Sequence, residues 1–382
     1  MKFNGIKSAG LALKQSKRIV IKVGSALIFD QHTKMACYDW LISLAQDIAW
    51  LHSNGAEVII VSSGAIVLGR QTLGLLDKKM SMSEKQAASS VGQVALMNLW
   101  SDVCESVNIQ VSQVLLAPRD TEERKRHINL RQTMSTLLSL GVVPIVNEND
   151  SVTTYEICFG DNDRLAARVA TMMSADMLVL LSDIDGLYDR NPKQFTDARH
   201  IPYVDEIDEK ILSMGGDSDT DFASGGMKTK LSAAQMAMRS GTSMVICSGQ
   251  VNYPIRKVFE GAQSTLFQAS ITPEKGRKKW IAGSLSPSGG VLIDHGAFQA
   301  ICSGKSLLHV GALEIRGSFD RGDLVEIIQQ EGVLLGYGVV EFHSSEAKKL
   351  LGVKSEGIFQ ALGYEAREEL IHVDNLVITA NQ

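Results

Sequence analysis

The chain has 382 residues and a formal net charge of −5, and 45% of its residues are apolar. A chain of this length and composition has enough apolar residues for two or three domain cores, which excludes intrinsic disorder as its main character. The near balance of 38 Lys and Arg against 43 Asp and Glu excludes a protein built mainly to bind polyanions.

Cysteine usage and the lengths of apolar runs indicate the compartment. The five cysteines include no C-x-x-C pair, which is typical of a reducing compartment and argues against a disulfide framework or a zinc knuckle. The eight histidines show no close pairing, so we expect no built-in metal site. No apolar run approaches the roughly 18 residues of a membrane span, and Lys14, Lys17 and Arg18 interrupt the N-terminal segment. We expect a cytoplasmic protein without membrane association.

Between residues 18 and 270, short apolar runs alternate with segments of helical periodicity. The runs predict strands at 18–24, 57–62, 109–116, 142–146, 177–181 and 243–247. The segments between them predict helices at 36–53, 64–75, 84–107, 122–140, 162–173 and 229–240. Apolar strands separated by helices indicate an α/β fold, a three-layer αβα sandwich with a mainly parallel sheet. Ligands of such sheets bind beyond the carboxyl ends of the strands.

The pattern changes near Pro273. Charged residues 274–279 and the turn-rich stretch 284–290 indicate a linker. Short β-like runs follow at 290–293, 307–310, 323–328 and 333–341, as in a small β-barrel. We therefore expect an N-terminal extension at 1–17, a catalytic domain at 18–270, a linker at 271–283 and a small β-barrel domain at 284–377. Residues 213–228 are rich in Gly and Asp and are predicted to form a lid.

The strongest local sign of a ligand is the segment Ser224–Lys230, which leads into the predicted helix at 229–240. Glycines at such a junction let backbone N–H groups approach phosphate oxygens, and the helix dipole favours an anion there. Lys230 lies in the first turn, where that dipole disfavours a cation unless an anion is bound. A Gly-rich turn with two solvated lysines is the alternative interpretation. The Walker pattern and a protein-kinase H-R-D loop are both absent.

Charged or hydroxylic residues follow the other predicted strands. Lys22 and Gly24 end the first strand, where the lysine faces either a cleft or the solvent. Ser62 and Ser63 end the second, where they either bind an anion or cap the next helix. The remaining clusters are residues 147–150, 160–164 and 181–188. Because parallel strands end at one sheet edge, these clusters together predict a ligand site.

The two lysines and the absence of a fixed metal cluster favour phosphoryl transfer, in which positioning and charge neutralisation supply most of the catalysis. A carboxylate acceptor is already ionised at pH 7 and needs no general base. The residues themselves therefore predict an ATP-dependent kinase of an anionic small molecule.

Seven motifs carry a resemblance to a known family, in the family's order along the chain: residues 22–25, 61–66, 91–93, 146–150, 160–163, 185–188 and 225–230. Through them the chain resembles those members of the amino acid kinase family that phosphorylate glutamate. Residues 280–377 resemble the PUA domain that many bacterial members carry. The resemblance implies transfer of phosphate from ATP to the γ-carboxylate of L-glutamate, giving L-glutamyl 5-phosphate in the first step of proline biosynthesis. It also implies feedback inhibition by proline, assembly as a homo-oligomer (dimer or tetramer), and Mg²⁺ bound mainly through the nucleotide phosphates.

The resemblance also implies a role for individual residues. Lys22 and Lys230 would stabilise the transferring phosphoryl group, and Asp163 would hold the two lysines in place. The glutamate site would consist of Ser63, Asp150 and Asn162, with Asn147 and Asp161 close by. The ATP site would consist of Lys22, Gly24, Ser182, Asp183, Ser224, Gly225, Gly226, Met227, Lys228, Thr229 and Lys230.

Two other interpretations remain. PUA domains often bind RNA, but residues 280–382 hold seven Lys or Arg against thirteen Asp or Glu, so phosphates would be repelled and we expect no RNA binding. Within the same family, the acceptor could instead be aspartate, acetylglutamate, carbamate or a nucleoside monophosphate. The run Asn147–Asp150 favours glutamate among these.

Overall fold

The computed structural model describes residues 8–152, 162–216, 226–283 and 287–379. Its backbone divides into two units: the first comprises residues 1–122 and 129–273, and the second comprises residues 123–128 and 274–382. No helix within the described ranges combines the length and the apolar character that a bilayer crossing requires.

The strands of the first unit form one large sheet and two short hairpins. They are β1 (Arg18–Val23), β2 (Phe29–Asp30), β3 (Met35–Ala36), β4 (Glu57–Ser62), β5 (Val111–Leu116), β6 (Val143–Glu148), β7 (Met177–Ser182), β8 (Leu187–Tyr188), β9 (His200–Ile201), β10 (Tyr203–Val204), β11 (Ser243–Ser248) and β12 (Ser264–Phe267). The large sheet has the order β10-β12-β11-β7-β1-β4-β6-β5. Its pairs are parallel except for β11 with β12. The carboxyl ends of β1, β4, β6, β7 and β11 therefore lie along one edge.

Helices precede, connect and follow these strands. They are α1 (Ala9–Gln15), α2 (Ser25–Ile28), α3 (Tyr38–Ser53), α4 (Ala65–Thr72), α5 (Met82–Glu105), α6 (Pro118–Glu122), α7 (Arg124–Ser139), α8 (Asn162–Met172), α9 (Glu209–Ser213), α10 (Met227–Arg239), α11 (Pro254–Phe259) and α12 (Pro273–Gly283). A single 3₁₀ turn at Asp150–Val152 follows β6.

Successive residues of the buried strands face two different cores, as the pleat of a strand requires. In β1, Ile19 and Ile21 pack in the core that includes residues of α3 and α5, whereas Val20 packs in the core that includes residues of α8 and α10. Both faces of the sheet are thus covered by helices. The predicted three-layer αβα fold with a mainly parallel sheet is confirmed.

Several elements differ in extent from the sequence predictions. The strand predicted at 142–146 continues to Glu148, so Asn147 lies within it. The helix predicted at 122–140 is two helices, α6 and α7, and residues 273–283 of the predicted linker form α12. The limits given for the domains stay a prediction.

The predicted N-terminal extension contains α1, which is part of the first unit. Ala12 and Leu13 are fully buried in the core on the α3 side of the sheet. Gly10 lies so close to the backbone of Val258 and Phe259 in α11 that a Cβ atom would collide with it. The backbone N–H groups of Lys17 and Arg18 donate to the carboxylate of Asp176, which fixes the chain between α1 and β1.

The second unit is β-rich. Its strands are β13 (Gly289–Ile293), β14 (Leu307–Leu308), β15 (Ala312–Gly317), β16 (Leu324–Gln329), β17 (Leu334–Val339), β18 (Glu369–Ile371) and β19 (Leu376–Ile378). They form a sheet of order β15-β13-β16-β17-β19 and a ribbon of β14 with β18. Three helices accompany them: α13 (His295–Cys302), α14 (Ser344–Lys349) and α15 (Ile358–Leu362). The predicted small β domain is confirmed. The β-like runs in the sequence did not predict β15, β18 or β19.

Candidate active site

One buried carboxylate links two buried ammonium groups at the carboxyl edge of the large sheet. The Asp163 side chain is fully buried, with Oδ1 lying 2.6 Å from Nζ of Lys22 and Oδ2 lying 3.0 Å from Nζ of Lys230. The side chains of the lysines are only 9% and 7% exposed. Two cations around one anion leave the cluster with a net positive charge, which suits an anionic ligand.

Three different elements deliver these side chains. Lys22 is next to last in β1, between Val61 of β4 and Leu180 of β7, so its backbone lies in the middle of the sheet. Asp163 lies in the first turn of α8, where the helix dipole stabilises an anion. Lys230 lies in the first turn of α10, whose N-cap is Gly226.

The charge state of Asp163 follows from its surroundings. Burial alone would raise the pKa of this carboxyl group, but the ammonium groups of Lys22 and Lys230 hold the pKa below its usual range. Asp163 is therefore ionised at neutral pH. It holds the lysines in position and is unsuited to act as a general base.

A second group of side chains forms a chain of hydrogen bonds beside the ion pairs. The amide nitrogen Nδ2 of Asn162 donates to Oγ of Ser63 at 2.7 Å and to Oδ1 of Asn147 at 3.1 Å. Nδ2 of Asn147 donates in turn to Oε1 of Gln93 at 3.0 Å. Because Asn162 precedes Asp163 in α8, this network lies directly beside the lysine cluster.

Asp150 lies in the 3₁₀ turn after β6 and accepts a short hydrogen bond from the hydroxyl of Ser89 in α5. Burial raises the pKa of the Asp150 carboxyl group, and the Ser89 hydrogen bond offsets part of that effect. Ser89 and Gln93 are four residues apart in α5, so they lie on one face of the helix. The same helix face thus contacts both Asp150 and Asn147.

Close packing of two helices sets the position of that face. A Cβ atom on Gly69 of α4 would overlap the carbonyl oxygen of Ala88 in α5, and one on Gly92 of α5 would overlap the carbonyl oxygen of Ala65 in α4. Gly64, at φ +116°, is the N-cap of α4 and directly follows Ser63. Since neither serine caps α4 with its side chain, the capping interpretation of Ser62 and Ser63 is wrong. The hydroxyl of Ser62 instead accepts from the indole of buried Trp100.

The other half of the edge comprises the ends of β7 and β11 and the start of α10. Ser182 ends β7 in register with Ser248 of β11, and its hydroxyl donates to Oδ1 of Asp183 at 3.2 Å. Nζ of Lys193 lies 2.9 Å from Oδ2 of Asp183, and this hydrogen bond lowers the pKa of that carboxyl group. Lys193 has no counterpart among the sequence predictions.

The first turn of α10 and the residue after β1 complete the described part of the site. Gly226 and Lys228 are exposed, and Met227 and Thr229 are partly buried. The hydroxyl of Thr229 donates to the carbonyl of Gly226 at 2.7 Å. A Cβ atom on Gly24 would lie 3.8 Å from Nζ of Lys22, which places this glycine next to the lysine cluster.

Some predicted residues lie outside the described ranges, namely Asp161, Ser224 and Gly225, and most of the proposed lid at 213–228 does so as well. The structure brings the others to one edge of the sheet. Lys22, Asp163 and Lys230 lie with Ser63, Asn147 and Asn162, and Asp150 follows β6. Gly24, Ser182, Asp183 and residues 226–229 lie after β1, at the end of β7 and at the start of α10. Within the described ranges, no three or more His, Cys, Asp and Glu side chains are placed to hold a metal ion.

Ser89 and Gln93 are not among the predicted site residues, although residues 91–93 are one of the seven motifs. A signal was available, because both are polar residues one helical turn apart in a long helix, next to Ala88 and Gly92. That spacing places them on the small-residue face, which packs inward. A buried polar side chain requires a partner, and here the partners lie on or just after β6.

Two protein-family models match this chain. The model of the amino acid kinase family matches residues 17–248. The chain belongs to the amino acid kinase family. The model of the PUA domain matches residues 289–359, which lie in the second unit.

Relatives in the family match almost the whole chain. A glutamate 5-kinase of Gluconobacter oxydans is 49% identical over 366 residues, covering 96% of this chain and 97% of that protein. A glutamate 5-kinase of Brucella anthropi is 48% identical over 368 residues, with the same coverage of both proteins. Among solved structures, a UMP kinase from Bacillus anthracis aligns with 67% of this chain and 98% of its own, at 15% identity and a TM-score of 0.47.

Proposed function

We propose that this amino acid kinase transfers the γ-phosphoryl group of ATP to the γ-carboxylate of L-glutamate, giving L-glutamyl 5-phosphate and ADP, the first step of proline biosynthesis. The observation that carries the proposal is the bridge from Lys22 through Asp163 to Lys230, with the amide network of Asn162 and Asn147 beside it. The substrate follows from the relatives, which are named glutamate 5-kinases over 96% of this chain.

The reaction needs charge neutralisation more than proton transfer. An oxygen of the γ-carboxylate forms a bond to the γ-phosphorus, and the bond from that phosphorus to the β,γ-bridging oxygen breaks, so that the electron pair leaves with ADP. The attacking carboxylate is ionised at pH 7 and requires no base. Nucleophile and phosphoryl group are both negative, and Lys22 and Lys230 reduce their repulsion and stabilise the charge of the transition state.

Asp163 keeps the two ammonium groups in place before ATP binds. It takes no proton in the reaction, because its pKa is held below the usual range by both lysines. A fixed arrangement of charges costs little reorganisation when the transition state forms.

The described residues fit a nucleotide at this edge. We place the phosphates at Lys22, Gly24 and the first turn of α10, where the backbone N–H groups of Met227 and Lys228 have no partner within the helix. Ser182 and Asp183 lie farther along the edge and would contact the rest of the nucleotide, as would Ser224 and Gly225. A cationic donor set suits phosphate oxygens and does not suit a metal ion, so we place Mg²⁺ on the nucleotide, where it neutralises part of the phosphate charge when bound.

We place glutamate in the amide network. Ser63, Asn147 and Asn162 lie next to the lysine cluster and would hold the reacting end, together with Asp161. Asp150 would pair with the α-ammonium group, since it is partly buried and Ser89 is its one hydrogen-bond partner among the described residues.

We further propose inhibition by proline at the glutamate site, a dimer or tetramer formed through the first unit, and a cytoplasmic location. The family resemblance supports the first two, and the cysteine pattern supports the third. Inhibition by proline is tested in the assay below, and the assembly state by sedimentation of the purified chain.

The deciding experiment traps the acyl phosphate with hydroxylamine as a hydroxamate. Purified chain, ATP and Mg²⁺ are incubated with glutamate, aspartate, acetylglutamate or no acceptor, each with and without proline. We expect hydroxamate with glutamate alone. Product with another acid would show that the acceptor is that acid and that the reaction class is unchanged. No product with any acid would contradict the proposal.

A further inference from the structure

The side-chain amide of Gln93 is buried beside the proposed substrate site, and one of its two polar atoms has no hydrogen-bond partner among the described residues. The residue is 7% exposed, and its Oε1 accepts from Nδ2 of Asn147. Its Nε2 is also buried, and it has no hydrogen-bond partner among the described residues. Leaving a buried donor unpaired costs about 1–3 kcal/mol, so a native structure retains one for a reason.

The orientation of this amide is fixed by its neighbours. Asn162 donates to Oδ1 of Asn147, so the NH₂ group of Asn147 must point to Gln93. Gln93 must then present its oxygen to Asn147, because the opposite orientation would bring two NH₂ groups together. This series of hydrogen bonds therefore ends at the N–H bonds of Gln93, which have no acceptor among the described residues.

A cavity lies beside this amide. Gln93, Ser89 and Asp150 line the same cavity of about 360 Å³, together with Gln113, Glu148 and Asn149. That volume lies in the range of small-molecule sites. The lining thus includes the partly buried carboxylate of Asp150 and the residue whose buried amide donor has no partner among the described residues.

We infer that Nε2 of Gln93 donates a hydrogen bond to the α-carboxylate of the amino-acid substrate, and this inference rests on the proposed function. Within the network, Asn162 is next to Asp163, whereas Gln93 is two hydrogen bonds farther from the lysine cluster. The γ-carboxylate must lie at the lysines, so the far end of the substrate lies at Gln93. There the α-ammonium pairs with Asp150 and the adjacent α-carboxylate accepts from Gln93.

Gln93 is then a determinant of acceptor specificity. Acids that lack an α-carboxylate would leave the Nε2 donor buried and unpaired, which penalises them without any steric clash. The contact is made equally in the ground and transition states, so its loss should raise KM and leave kcat nearly unchanged.

Two substitutions separate this role from a structural one. Gln93→Glu keeps an oxygen for Asn147 but replaces the donor with a negative charge facing the substrate carboxylate. Gln93→Met removes donor and acceptor while conserving length. Gln110→Glu is the matched control, because Gln110 is exposed in the loop before β5 and is not one of the proposed site residues.

The test compares glutamate with 4-aminobutyrate, which retains the reacting carboxylate and the amine but lacks the α-carboxylate. Each variant is assayed for hydroxamate with both acids, and where 4-aminobutyrate gives no product, its inhibition constant against glutamate is measured. We expect Gln93→Met to raise KM for glutamate about tenfold to a hundredfold, and Gln93→Glu to raise it more. Neither substitution should weaken the binding of 4-aminobutyrate to a comparable extent. The Gln110→Glu variant should have the same constants as the wild type.

Unchanged KM for glutamate in both variants would overturn the inference. An equal loss for both acids would overturn it as well, because it would show a structural role of Gln93. Failure of the proposed function has a different signature, namely no hydroxamate from glutamate with the wild-type chain. Circular dichroism and thermal unfolding of each variant confirm that the fold is retained.

Discussion

The two units bury titratable groups in opposite ways. In the first unit, the buried carboxylate of Asp163 lies between two lysines within 3.0 Å. In the second unit, the imidazole of His309 is 1% exposed, neither ring nitrogen has a hydrogen-bond partner in the described residues, and the ring packs edge-on against Phe342. The first arrangement keeps Asp163 and the two lysines charged, which suits an anionic ligand, whereas the second keeps His309 neutral. A buried titratable group therefore stays charged only where its partners offset the cost of burial.

The largest effect is expected when the central charge of the first arrangement is removed. Asp163→Ala leaves two buried ammonium groups without their shared counterion, and breaking a buried ion pair costs about 3–5 kcal/mol. We expect a loss of stability of that size together with loss of turnover. Urea unfolding, followed through hydrogen exchange of β1 and β4, measures it. Unchanged protection of these strands would show that the lysines find other partners.

Removing one lysine should affect catalysis more than folding. Lys22→Ala and Lys230→Ala each leave Asp163 with one counterion, and loss of one charge-stabilising group lowers kcat about 10²–10³-fold. The hydroxamate assay at saturating ATP measures it, and Lys85→Ala, at an exposed position of α5, is the control for loss of one positive charge. Near-normal kcat in either variant would contradict the assigned role.

The second arrangement is tested by acid. Burial lowers the pKa of His309 from 6.5 to about 4, so between these pH values the unfolded chain binds a proton that the folded unit does not. As far as His309 determines it, the free energy of unfolding is highest above about pH 6.5, where the imidazole is neutral in both states. It falls by about 3 kcal/mol in all as the pH drops to about 4. Hydrogen exchange of β13 and β16, corrected for the intrinsic rate, measures it at several pH values. His309→Phe should abolish this part of the pH dependence, and an equally steep dependence in that variant would assign it to other groups.

The smallest expected effect concerns substrate affinity. Asp150→Asn removes the charge that would pair with the α-ammonium group, so KM for glutamate should rise about tenfold to a hundredfold with little change in kcat. Because burial raises the pKa of Asp150, the wild-type KM should also rise as the pH falls towards that value, and the variant should lack this rise. A KM that the substitution does not change would remove Asp150 from the site.

The fold and the strand-end residues could be predicted from sequence, because the apolar runs are local and their carboxyl ends must share one edge. The contacts between residues that are far apart in the sequence could not be predicted. Gln93 contacts Asn147, 54 residues away, and nothing local marks its side chain as half-satisfied. Residues 274–279 were assigned to a linker because they are charged, but Glu, Lys and Arg favour helices and Pro273 is well placed as the first helical residue of α12.

The contact between Gly69 and Gly92 restricts how acceptor choice can change in this protein. Helices α4 and α5 already touch backbone to backbone, so α5 has no room to move closer to α4, and moving away would open a gap along both helices. The packing of α4 against α5 therefore helps to set the distance from Ser89 and Gln93 to the end of β6. A longer or shorter acceptor can then be accommodated only by substituting side chains, because the backbone of α5 does not move. Each such substitution would change acceptor specificity in one step.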